Sequence, residues 1–305
     1  LCVCAQAEPQ YTQYMYNIGS FNAGYSASVE SPEFSGLYRA QWVDVAGAPR
    51  NIRLGGNFPL ANEKMGIGFN VVNDALGPVN QTFVDIGYSY QIEVTESAKL
   101  AFGIDVGGAL FNLDFSEGRF QNPNEPATNA NQEQSNFNPT LGAGAFFYDN
   151  EWYVGLSVPN FLTDVLLNDE TATLVTEKLQ YNLIGGYVFD LSENTKFKPA
   201  FLMNLTSGLP LNVNLSANFL FMDALTVGAS YHFDNSFSGL AGIQISNSIF
   251  LGYAYEQNTN LLSDLAGSTH EAILKFYLGR EKGSGWAKKD KLKGKPKQID
   301  SPRFF

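Results

Sequence analysis

"LNVNLSANFLF" (211–221) and "ALTVGASYHF" (224–233) decide the fold of this chain. In the first, Leu211, Val213, Leu215, Ala217, Phe219 and Phe221 share one parity. Asn212, Asn214, Ser216 and Asn218 share the other, with Leu220 the one exception. After a tight break at Met222-Asp223, Leu225, Val227, Ala229, Tyr231 and Phe233 alternate with Thr226, Gly228, Ser230 and His232. Strand side chains point to opposite faces with period two, so each half is a strand with an apolar and a polar face. Each is about as long as the roughly 9–11 residues that a tilted strand needs to cross a bilayer. Such hairpins, closed into a ring, make a transmembrane β-barrel.

Composition agrees. Of 305 residues 44% are apolar but only 16% charged, against about 25% in a soluble domain. Gly (29), Phe (24) and Tyr (15) are plentiful, as suits a lipid-facing wall with aromatic girdles. A large soluble β-protein is the competing reading. No apolar run reaches the roughly 18 residues of a membrane helix, and only a closed sheet leaves no unpaired edge in lipid. The net charge of −11 divides into +6 from Arg280 onward and −17 before it. An acidic body with a basic tail argues against nucleic acid as a partner.

Alternation places fourteen strands near 35–43, 51–60, 64–73, 81–92, 97–113, 137–148, 151–158, 177–190, 195–205, 211–221, 224–233, 236–245, 249–257 and 269–279. The expected fold is therefore all-β: a closed antiparallel barrel over 35–280, with a plug-like N-terminal segment and a basic periplasmic tail. Short links alternate with links that are usually longer, at 44–50, 74–80, 114–136, 159–176 and 258–268. Outer-membrane barrels keep short turns on the periplasmic side, a phase that puts both termini in the periplasm.

The flanks carry further expectations. "LCVCAQA" (1–7) reads as the end of a secretory signal, with Ala5-Gln6-Ala7 as cleavage pattern and a lipid-attached Cys4 as the alternative. Residues 8–34 are too aromatic for a loose tail and fold at the periplasmic mouth or inside the lumen, or else form a turn-rich lead-in. Tyr11, Tyr14 and Tyr16 there are candidate partner-binding residues, as are Phe161 and Leu162 in the 159–176 loop and Trp286, Lys288 and Lys289 in the 281–305 tail. The polar, Pro-broken 114–136 loop is solvated.

No catalytic or metal-binding spacing stands out, so the expectation is a non-enzymatic protein without cofactor. The histidines are His232 and His270 only. "GAG" at Gly142 lies within a strand, where glycine makes room in the wall. The candidate lumen charges are Arg53, Asp85, Asp190, Lys196, Lys198, Glu256, Glu271 and Lys275. They form ion pairs in a polar interior, or tune selectivity if the lumen conducts.

Several strings in order, among them "QYTQYMYNIGSFNAGYS" (10–26), "GIGFNVVNDALGPVNQTFVDIGYSYQI" (66–92), "WYVGLSVPNFL" (152–162), "FKPAFLMNL" (197–205) and "LGYAYEQNTNLLSDLAGSTHEAILKF" (251–276), together resemble the PorP/SprF family. These are outer-membrane proteins of the type IX secretion and gliding apparatus of Bacteroidetes. The resemblance implies a non-enzymatic role in exporting or attaching secreted proteins such as adhesins. Its implied partners are outer-membrane lipid, the C-terminal region of a secreted client, and periplasmic machinery. A passive or substrate-specific channel is the alternative, and an outer-membrane enzyme built on the two histidines a third.

Overall fold

The computed structural model describes residues 10–60, 64–114, 133–162, 178–233, 235–259 and 267–279. Its strands are β1 (Glu33–Ala40), β2 (Arg50–Pro59), β3 (Met65–Leu76), β4 (Val79–Glu93), β5 (Lys99–Asp114), β6 (Glu133–Tyr148), β7 (Trp152–Val158) and β8 (Gln180–Tyr187). They continue with β9 (Phe189–Ser192), β10 (Thr195–Thr206), β11 (Asn212–Phe221), β12 (Leu225–His232), β13 (Ser236–Ser246), β14 (Ile249–Asn258) and β15 (Thr269–Tyr277). Every pairing is antiparallel, and β8 and β9 occupy one position beside β10. The wall therefore has fourteen strand positions. β15 returns to β1, from Glu33↔Tyr277 to Ala40↔His270, so the ring closes and has no edge.

The alternation points as the sequence dictates. On β2, Asn51 and Arg53 are buried while Ile52 and Leu54 are exposed on the outer surface. On β11, Asn214, Ser216 and Asn218 face in and Leu215, Phe219 and Phe221 face out. Leu220, the exception, also faces in, where it joins an apolar cluster. In the membrane the outward Leu, Ile, Val, Phe and Tyr side chains meet lipid, while the ladder satisfies the backbone.

One connection differs from expectation. Residues 74–80 are not a longer loop. β3 and β4 stay paired to Leu76↔Val79 across Gly77-Pro78 alone. Gly77 has φ +54°, the positive value that a two-residue hairpin link asks of its first residue. The opposite kind of choice occurs between β11 and β12, where Met222 and Asp223 hold φ +53° and +51°. The Ala224 N–H closes that turn on the Phe221 carbonyl at 3.0 Å. A left-handed non-glycine residue costs about 1–2 kcal/mol. Met222 is 78% exposed and has little packing to lose. Met222→Gly is expected to stabilise the barrel by about 1 kcal/mol in denaturant unfolding.

Candidate functional site

The interior of the ring holds part of the chain itself. Residues 10–29 run through it as three short 3-10 turns, Tyr14–Tyr16, Ile18–Ser20 and Ala23–Ser28. Tyr14, Met15, Tyr16, Ile18 and Tyr25 are buried in one cluster with the inward Phe146, Tyr153, Ile184, Leu202, Phe250 and Ile273 of the wall. Tyr16 lies against Phe250 at 5.0 Å between centroids, and Tyr25 meets Phe146 edge-on at 5.5 Å.

The direction of this segment is fixed by its contacts. Gln10 bonds Asn212, at the long-loop end of β11. Tyr14 and Ser216, further along β11, share a hydrogen bond of 2.9 Å. Tyr16 packs on Phe250, beside the short-turn end of β14. The chain then crosses the bore and leaves at the short-turn end to begin β1. The described chain thus starts toward the long-loop end and leaves the bore where β1 begins; the two ends, whose periplasmic placement was expected, lie outside the described residues. Link lengths fixed the phase of the strands, but contacts 200 residues away set the path of the segment.

Two polar clamps hold it. At the long-loop end Arg39 bridges Glu271 at 3.0 Å and Glu256 at 3.2 Å. The Thr12 and Gln13 backbone N–H groups donate to Glu271 at 2.9 and 2.8 Å. The Thr12 hydroxyl donates to Glu256 at 2.6 Å and accepts from Arg39 at 2.8 Å. Two buried carboxylates are therefore balanced by one guanidinium and two amides of the segment itself. At the other end Lys275 pairs with Glu33 at 3.3 Å. Asn57 donates to Glu33 at 2.9 Å and accepts from the Ser26 hydroxyl at 2.8 Å.

Between the clamps the wall is cut away by glycines. A Cβ on Gly66 would lie 2.1 Å from the Ser26 carbonyl oxygen, on Gly103 2.3 Å from the Ala23 carbonyl carbon, and on Gly144 2.2 Å from the Asn22 side chain. Only glycine lets the backbone of the segment lie this close to the wall.

The candidate residues distribute over this frame. Glu256, Glu271 and Lys275 belong to the clamps. Lys196 bridges Asp223 at 2.6 Å, and Lys198 lies 5.4 Å from the Tyr153 ring centre. Arg53 donates to Ser35 at 2.9 Å, and Asp85 accepts from Thr140 at 2.7 Å. Asp190 is paired in register with Lys196 but is exposed at the short-turn end. Tyr11, Tyr14 and Tyr16 are buried inside the ring, so their contacts are with the barrel and not with an outside partner. Apolar bulk that cannot be left in water explains that placement. Phe161 is exposed at the long-loop end, its N–H donating to the Leu141 carbonyl at 2.8 Å, and the Leu162 N–H donates to Asn160 at 3.0 Å. Trp286, Lys288 and Lys289 lie outside the described residues, as do most of the 114–136 and 159–176 loops. Sequence reasoning missed Arg39, Thr12, Gln13 and Glu33. For Arg39 the signal existed, since it shares inward parity with Leu37 on β1.

A family model for the type IX secretion system membrane protein PorP/SprF matches residues 3–276. The chain belongs to the PorP/SprF family. As a member it is an outer-membrane protein of type IX secretion, with the membrane and the secretion machinery as its setting. No curated protein matches the chain. Among solved structures, the CymD monoaromatic hydrocarbon channel is similar at 12% identity and TM-score 0.50, over 89% of this chain and 93% of that one. The Pseudomonas putida toluene transporter TodX is similar at 10% identity and TM-score 0.47, over 84% and 92%. The CymD likeness supports the outer-membrane barrel fold of this PorP/SprF chain.

Proposed function

We propose that this PorP/SprF barrel is a closed, non-enzymatic adaptor that holds a secreted client, such as an adhesin, at the cell surface. The observation that carries the reading is the occupied lumen. Residues 10–29 bury their aromatic side chains against the wall where a conducting barrel would hold water. The long-loop end, where Phe161 is exposed and where the sequence places the 114–136 and 159–176 loops between strands, would receive the client's C-terminal region. The short-turn end, where β15 leads to the basic 281–305 tail, would face periplasmic secretion and gliding machinery.

Photo-crosslinkers at Phe161 and Leu162 in whole cells test this. The expected result is a covalent adduct with a secreted surface protein, and loss of most client display when both loops are removed. Intact display after that removal rejects the adaptor reading.

A further inference from the structure

We propose that the seam between the N-terminal segment and the β3–β4 wall is a binding site for an alkylammonium group. A cavity of about 30 Å³ opens there, lined on the segment side by Tyr11, Ser20 and Phe21. Phe83, Asn70, Val72 and Asp85 line it on the wall side. One water needs about 10–15 Å³ by this measure, so the space fits an ammonium with an adjoining methylene.

The chemistry of the lining selects a cation. Three aromatic residues, Tyr11, Phe21 and Phe83, are in the lining, and the faces of such rings attract ammonium groups. Asp85 supplies a carboxylate, and Asp105 lies on the same inward-facing wall of the neighbouring β5. Among the described residues neither carboxylate has a Lys or Arg partner within 4 Å, unlike the three acids of the two clamps. Asn70, paired in register with Asp85, is only 8% exposed, and its Oδ1 is a buried acceptor without a donor. An ammonium group supplies donors to both oxygens and a positive charge to the rings. A hard metal ion fits less well, because no group of three or more His, Cys, Asp or Glu gathers among the described residues. The group would be supplied by a free amine or by a lysine side chain.

Calorimetric titration of the refolded full chain in detergent with n-butylammonium chloride tests the site. n-Butanol and sodium chloride serve as neutral and ionic controls, and a capped Gly-Lys-Gly peptide as a second ligand. The expected result is saturable binding of butylammonium, absent with both controls. Asp85→Asn should weaken it at least about tenfold, and Phe83→Leu about threefold. Thermal unfolding of each variant verifies the fold. Tighter binding of the peptide than of butylammonium assigns the site to a lysine side chain, and weaker binding to a free amine. Butanol binding equal to butylammonium, an unchanged affinity in both variants, or no saturable heat overturns the proposal. None of these readouts depends on client display, so the site and the adaptor reading can fail separately.

Discussion

Arg39→Leu is expected to release the N-terminal segment from the long-loop half of the lumen. The guanidinium is the only cation within 4 Å of Glu256 or Glu271 among the described residues. Without it two carboxylates stay buried against the segment, and leaving a buried charge unpaired costs about 3–5 kcal/mol. That cost falls on the docked state alone, since a lumen vacated by the segment fills with water. The ratio of docked to released segment should fall by about two to four orders of magnitude. In planar bilayers the variant should show flickering current, and residues 10–29 should become sensitive to protease. Adding Glu256→Gln and Glu271→Gln to Arg39→Leu should restore the quiet state, because no charge is then left unpaired. A quiet single variant shows that the clamp does not hold the segment.

Gly103→Leu attacks the same contact from the wall. Its Cβ would sit 2.3 Å from the Ala23 carbonyl carbon and 2.5 Å from the Gly24 nitrogen. These are backbone atoms that no rotamer change can move. Overpacking costs about 1–3 kcal/mol where neighbours can shift, and more is expected here. The ring itself is spared, because Gly103 keeps its ladder with Ser89 and Gly144. The folded barrel should persist as a heat-modifiable band on gels, while residues 10–29 become cleavable. A protected segment in a folded variant contradicts the close seat.

Much of this fold is legible in the sequence, and for one reason. Lipid outside and protein inside impose a strict two-residue period, so the hairpin at 211–233 reveals its faces without a structure. Leu220 breaks the polar parity because the interior opposite it is a packed core and not water. Phe250 and Ile273 follow the same logic. The strand through 74–80 was hidden because Gly77-Pro78 reads equally as a loop or as a tight link. The aromatic content of 10–26 announces that the segment must pack, but nothing local says in which direction it runs. That is decided by Asn212, Ser216 and Phe250, far along the chain. The clamp was half visible for a similar reason. Glu256 and Glu271 stand out as inward charges, whereas Thr12 and Gln13 contribute mostly backbone amides, which no side-chain pattern encodes.

Single-channel recording compares the intact barrel with one lacking residues 10–29. A segment that fills the bore from the long-loop end predicts silence from the first and steady conductance from the second. Sustained current through the intact barrel, or a deleted barrel that folds yet stays silent, would contradict it.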